Sequence, residues 1–152
     1  MTSPKNSKRT DPCSSNIKKE ELKSVAPAPS ATRIMIVDDS ATMRRLIRNQ
    51  LEKIGVKNII EAENGLRGLE KLENNRVDII IADWLMPRMN GAVMVKEIRK
   101  NPDYDNIPIV LVSAEYGEKI NKAIKAGANG YLNKPFNLDD LKQILTKFIS
   151  DI

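Results

Sequence analysis

From Arg33 to the last residues, five short apolar runs alternate with segments of helical period. This alternation constrains the fold more than any other feature of the sequence. "RIMIV" (33–37) is β-branched and apolar. Ser40 then offers an N-cap, with Met43, Leu46, Ile47, Gln50, Leu51 and Ile54 at helical spacing and Gly55 as a stop. "NIIEA" (58–62) reads as a second strand, and Asn64 as the cap of a helix whose face is marked by Leu66, Leu69 and Leu72. "VDIIIAD" (77–83) is almost continuously apolar, as expected of a strand covered on both faces. Residues 91–100 predict a helix, "IPIVLVSA" (107–114) a strand, 117–126 a helix ended by Gly127, and "GYLN" (130–133) a short strand. Asn137 caps a last helix with Asp139 and Asp140 in its first turn, where the dipole favours anions. Its buried face is expected to be Leu138, Leu141, Ile144, Leu145 and Phe148.

Repeated β-α units with short connections imply a parallel sheet with helices on both faces. Five of them predict an α/β fold, a flavodoxin-like (βα)5 three-layer sandwich with strand order 2-1-3-4-5. Ligands of such sheets bind at the carboxyl ends of the strands, near the switch in strand order. The first run ends at Asp38 and Asp39, the third at Asp83 and the fourth at Ser113, and Lys134 follows the fifth. All five fall on one rim. Adjacent buried carboxylates repel, so the pair at the end of the first strand implies a positive partner. Three carboxylates form a hard-oxygen site suited to Mg²⁺, which takes few protein ligands and keeps several waters. Phosphoryl transfer needs positioning and charge neutralisation more than covalent help. Lys134 would supply charge and Ser113 a hydrogen bond. Asp83, on the central strand between the acidic pair and the lysine, is the best-placed nucleophile.

Residues 1–31 are rich in Ser, Pro and Lys with scattered large apolar residues, and are expected to form a disordered tail ahead of a domain at 32–152. The net charge of +5 is uneven: residues 1–32 carry +3 and the rest +2. A nearly balanced body argues against nucleic-acid binding, which wants a basic surface on the folded domain. The single cysteine, Cys13, excludes an intrachain disulfide. No run of about 18 apolar residues could span a membrane, and the basic N-terminus lacks the apolar core of a secretory signal. A cytoplasmic location is the expectation. With no histidine in the chain, acid/base chemistry, metal ligation and phosphorylation at histidine are all excluded.

"VDDS", "ADWLMPRMNG", "LVSAE" and "GYLNKPF" resemble the receiver domain of two-component response regulators over residues 33–150. "DDSATMRRLIRN" with "ADWLMPRMNG" is most similar to the single-domain chemotaxis regulators of the CheY group. The resemblance implies Asp83 as phosphoacceptor, and Mg²⁺ held by Asp38, Asp39, Asp83 and the backbone carbonyl of Leu85. Ser113 and Tyr131 match the switch hydroxyl and switch aromatic, Lys134 the family lysine, and Lys134–Pro135 the family's cis peptide. Leu85 departs from the asparagine usual in the chemotaxis group. It and Glu115 would flank the path of the hydrolytic water, so slow hydrolysis is in question here.

Seventeen residues follow Pro135, enough for one helix, so output is expected through the receiver's own surface. The fourth helix, fifth strand and fifth helix supply candidate contacts in Tyr116, Lys119, Lys122, Tyr131, Asn133 and Lys147. A histidine kinase is the implied phosphodonor, the flagellar motor switch the implied target, and a phosphatase a further partner; a monomer is expected. The alternative is a phosphorelay or stress-signalling receiver with a non-flagellar partner. A haloacid-dehalogenase-like phosphatase would carry D-x-D on the first strand, where this chain has "VDDS". An FMN site would set a phosphate against an acidic strand end.

Overall fold

The computed structural model describes residues 27–114 and 117–152. The disorder expected for residues 1–26 lies outside them. Five strands and five helices alternate: β1 Arg33–Val37, α1 Ala41–Ile54, β2 Asn58–Ala62, α2 Gly65–Asn74, β3 Ile79–Asp83, α3 Gly91–Arg99, β4 Ile109–Ser113, α4 Glu118–Ala126, β5 Gly130–Asn133 and α5 Leu138–Leu145. The sheet is parallel, in the order β2-β1-β3-β4-β5. The expected fold class and strand order are therefore correct.

Strand periodicity divides the core into two layers. Ile34, Ile36, Ile79, Ile81, Val110 and Val112 face α1 and α5, against Ile47, Leu51, Leu141 and Leu145. Met35, Val37, Ile80, Ala82, Ile109 and Leu111 face α2, α3 and α4, against Leu72, Met94, Val95, Ile98 and Ala123. All five residues of β3 and of β4 are buried, because each has a strand on either side and helices above and below.

The capping residues act as the spacing predicts. Ser40, Asn64 and Asn137 each accept a backbone N–H three residues on, and Asn137 forms a capping box with Asp140. Gly55 and Gly127 end their helices in the left-handed region.

Four details differ from the sequence expectation. Strand β3 begins at Ile79 rather than Val77, and β4 at Ile109 rather than Ile107. Pro108 has no N–H to give the ladder, though its carbonyl accepts from Ile80. On α2, Leu66 is exposed, and the helix meets the sheet through Gly65, Gly68 and Leu72. A Cβ at Gly68 would lie 3.2 Å from Val37 Cγ2, so a larger residue there would have to push Val37 aside by a few tenths of an ångström. Leu46 on α1 is likewise exposed. Finally, residues 27–31, expected as tail, pack on the domain. Pro29–Ala31 is a 3-10 turn, Ser150 N donates to Pro27 O at 2.9 Å, and the Thr32 hydroxyl donates to Ala28 O at 2.8 Å.

An acidic rim at the carboxyl ends of the strands

Strand β1 delivers Asp38 and Asp39 to the rim, and the neighbouring β3 delivers Asp83. One carboxylate oxygen from each lies within 4.8 Å of the others. Asp38 and Asp83 are buried, while Asp39 is exposed. The loop after β1 is tightly held. Asp38 N donates to Ala62 O at 3.1 Å, extending the ladder to β2. Asp38 Oδ1 accepts Ser40 N at 2.8 Å, an Asx turn that leads into α1. The other oxygen, Asp38 Oδ2, is buried and has no hydrogen-bond partner among the described residues.

Lys134, just past β5, places Nζ 3.3 Å from Asp83 Oδ1. Its own N–H donates to Ser113 O at 2.8 Å, so the lysine and the serine are joined through the backbone. Ser113 is buried at the end of β4, and the Lys134–Pro135 bond is cis. Below the site, Gly91 N donates to Trp84 O at 2.8 Å. A Cβ on Gly91 would come within 2.7 Å of Asp83 O, so α3 can start this close to the site only with glycine.

The electrostatics follow from burial. Desolvation lifts the Asp38 carboxyl to about 6, with smaller upward pushes from Asp83 and Asp39; the Ser40 N–H and Lys134 oppose it. Desolvation also raises Asp83, and the charge and hydrogen bond of Lys134 only partly offset this. These carboxylates carry more negative charge than the protein around them neutralises. A buried oxygen without a partner and three converging carboxylates fit a small hard cation such as Mg²⁺.

Other sequence-derived candidates fall in three places. Leu85 is 59% exposed, two residues past Asp83. Tyr131, Asn133 and Lys147 line one groove of about 430 Å³ between β5 and α5, together with Pro135, Gln143 and Ile144. Lys122 is exposed on α4. Lys119 lies within the span of α4, and Glu115 and Tyr116 lie outside the described residues.

Two features escaped the sequence reading. An apolar recess of about 300 Å³ adjoins the rim, lined by Met43, Leu46, Ala114, Lys134, Pro135 and Phe136. Its only sequence signal is the apolar period of α1 extending to a residue that the core does not bury. The second feature is Glu61 on β2, which is bound by Arg44 and Arg48 of α1.

The response regulator receiver domain family matches residues 34–146. A chemotaxis protein CheY1 of Helicobacter pylori is 42% identical over 115 residues, covering 74% of this chain and 93% of that protein. A high-resolution structure of chemotaxis response regulator CheY4 of Vibrio cholerae superposes with a TM-score of 0.73 at 33% identity, covering 78% of this chain and 98% of that one. The receiver domain of a sensor histidine kinase from Pseudomonas aeruginosa, solved with a magnesium ion in its active-site cleft, gives 0.71 at 26% identity over 79% of this chain and 98% of that one. With its fold, its acidic rim and this match over most of its length, the chain belongs to the receiver domain family of two-component response regulators.

Proposed function

We propose that this protein is a phospho-accepting messenger of the chemotaxis type. In this reading a histidine kinase phosphorylates Asp83, and the phosphorylated form signals by binding a target through the face formed by α4, β5 and α5. The carrying observation is the placement of Asp83 on the central strand, within 4.8 Å of the acidic pair and 3.3 Å from Lys134. Similarity to chemotaxis proteins at 40–42% identity supports the pathway.

Asp38, Asp39, Asp83 and the backbone carbonyl of Leu85 would hold Mg²⁺. When bound, the ion neutralises charge on the transferring phosphoryl group. The chain's own residues do the rest. A carboxylate oxygen of Asp83 attacks phosphorus as the bond to the donor imidazole nitrogen breaks, and the electron pair leaves with that nitrogen. Lys134 pairs with the incoming phosphoryl oxygens in place of Asp83. Ser113, at the end of the adjacent strand, would donate its hydroxyl to a phosphoryl oxygen, and Tyr131, opposite Leu111 in the β4–β5 register, would carry the change to the binding face. The apolar recess beside Lys134 offers the phosphodonor a landing surface at the rim.

The test is labelling by acetyl phosphate in the presence of Mg²⁺. The wild type should label and Asp83→Asn should not, since an amide is a poor nucleophile. Undiminished labelling of the variant would move the acceptor elsewhere. Binding of the beryllofluoride-loaded protein to a flagellar motor-switch protein, absent without beryllofluoride, would support the chemotaxis target. Failure to bind it while labelling persists would favour the relay reading.

A further inference from the structure

Arg44 occupies an unusual position between the sheet edge and the acidic loop. It lies on the first turn of α1, and its Nη1 donates to the backbone carbonyl of Asp38 at 2.6 Å. Its Nε donates to Glu61 Oε1 at 3.1 Å. The second oxygen of Glu61 accepts from Arg48 Nε at 2.6 Å, and the Glu61 carbonyl accepts Lys71 Nζ at 2.5 Å. Burial pushes the Glu61 carboxyl up, but the hydrogen bonds from Arg48 and Arg44 outweigh this and hold it below the usual range. Glu61 is thus a fixed anion, and it fixes the guanidinium.

The carbonyl that Arg44 holds belongs to the peptide joining Asp38 to Asp39. Fixing that peptide plane fixes the direction in which both carboxylates leave the backbone. The Asp38 N–H is already tied to β2 and its Oδ1 to Ser40. Arg44 supplies the remaining constraint on the carbonyl side, through a charge-assisted hydrogen bond with a side chain only 18% exposed.

We propose that Arg44, locked by Glu61, is a positioning residue that presets the acidic pair for a divalent cation. This rests on the Mg²⁺ reading of the rim. The proposal has a distinctive sign. A cation beside a cation site opposes binding by simple Coulomb repulsion, so deleting its charge should tighten the site. If Arg44 instead orders the ligands, its removal should loosen the site, as loss of an outer-shell partner of a metal ligand commonly does.

The experiment is a MgCl2 titration of the full chain, read by Trp84 emission and by calorimetry, with thermal melts to show that each variant folds. Arg44→Ala should weaken Mg²⁺ binding by about tenfold. Arg44→Lys keeps the charge but has one compact ammonium that cannot bridge both acceptors, so it should recover only part of the affinity. Arg48→Ala removes the same charge from Glu61 without releasing the Asp38 carbonyl, and should shift affinity by no more than about twofold. Unchanged or tighter binding by Arg44→Ala, or equal losses in Arg44→Ala and Arg48→Ala, would overturn the proposal. If Arg44→Ala does not fold, full wild-type affinity in Arg44→Lys overturns it instead. Asp39→Asn separates the two levels. Should the wild type bind while Asp39→Asn does not, the rim is the cation site and the Arg44 result stands alone. Wild-type failure to bind Mg²⁺ sinks the metal reading and the positioning role with it.

Discussion

The two ends of the sheet use similar side chains to opposite effect. At the amino ends of the strands, Asp78 accepts the Arg33 N–H at 2.8 Å and pairs with Arg76 at 2.6 Å. Arg99 reaches from the end of α3 to the carbonyls of Tyr104, Ile107 and Gly127 and to Asn129, whose Oδ1 also accepts the N–H of Ile109. Polar groups there close loops. At the carboxyl ends, three carboxylates face one lysine, two of them are buried, and both have raised pKa values. Polar groups find protein partners where the fold needs closing, and carboxylates outnumber their protein cation where a ligand would complete the site.

Arg99→Ala should break the closed end hardest. It strands several carbonyls at once, and each orphaned group costs about 1–3 kcal/mol, so a loss of about 3–4 kcal/mol is expected in a denaturant melt. Mg²⁺ affinity should stay unchanged in a titration of the folded variant. A matching loss of affinity would show that the two ends are coupled.

At the open end the sign reverses. The folded-state pKa of Asp38 is about 6 against 3.8. Between these values the folded protein holds more protons than the unfolded chain, so this group's contribution to stability falls as pH rises through that interval. Above pH 6 the penalty is complete, about 2–3 kcal/mol for a shift of this size. Asp38→Asn should therefore raise the stability of the metal-free protein at pH 7.5 by roughly 2 kcal/mol. The gain should shrink toward pH 4, and Mg²⁺ binding should be lost. A variant less stable than wild type at pH 7.5 would mean that the rim is already neutralised.

A smaller effect is expected in the lifetime of the phosphoryl group proposed for Asp83. Exposed Leu85 cannot hydrogen-bond a water beside Asp83. Leu85→Asn should speed phosphoryl loss by a few-fold to about tenfold, roughly 1 kcal/mol of barrier, with Mg²⁺ binding little changed. Trp84 emission after removal of acetyl phosphate would follow it, and an equal or slower decay would remove position 85 from control of the water.

The amino end also contains the smallest predicted difference. Deleting residues 1–26 should leave stability and Mg²⁺ affinity unchanged. Deleting 1–31 removes the Pro27 carbonyl that accepts Ser150 N and the acceptor of the buried Thr32 hydroxyl, and should cost about 1 kcal/mol. Equal melts for the two truncations would return residues 27–31 to the tail.

The open end was the more legible in the sequence. Asp38, Asp39, Asp83, Ser113 and Lys134 each follow a strand-like run, so strand order alone brought them to one rim. The Glu61–Arg44–Arg48 cluster was not legible. Its members sit 13 and 17 positions apart on two different elements, and neither period nor spacing shows which surface charges meet. Leu46 and Leu66 misled for the opposite reason. They fit an apolar period, but the helices turn other faces to the sheet, α2 through its glycines. The packing of residues 27–31 depends on hydrogen bonds to the far end of the chain, and composition does not record those.

Gly91 bears on how a genetic screen of this protein would read. Every L-amino acid placed there meets Asp83 O at 2.7 Å and a Leu111 methyl at 2.9 Å, both closer than real Cβ atoms come. Random mutagenesis scored by signalling would rank it beside Asp83, although glycine offers no group that can act in the chemistry. Loss-of-signal alleles at codon 91 would report the space under Asp83 rather than a participant in phosphotransfer. Shortening Leu111 would relieve only one of these contacts and leave the clash with the Asp83 backbone, so second-site suppressors should be rare and should not arise among the acidic residues.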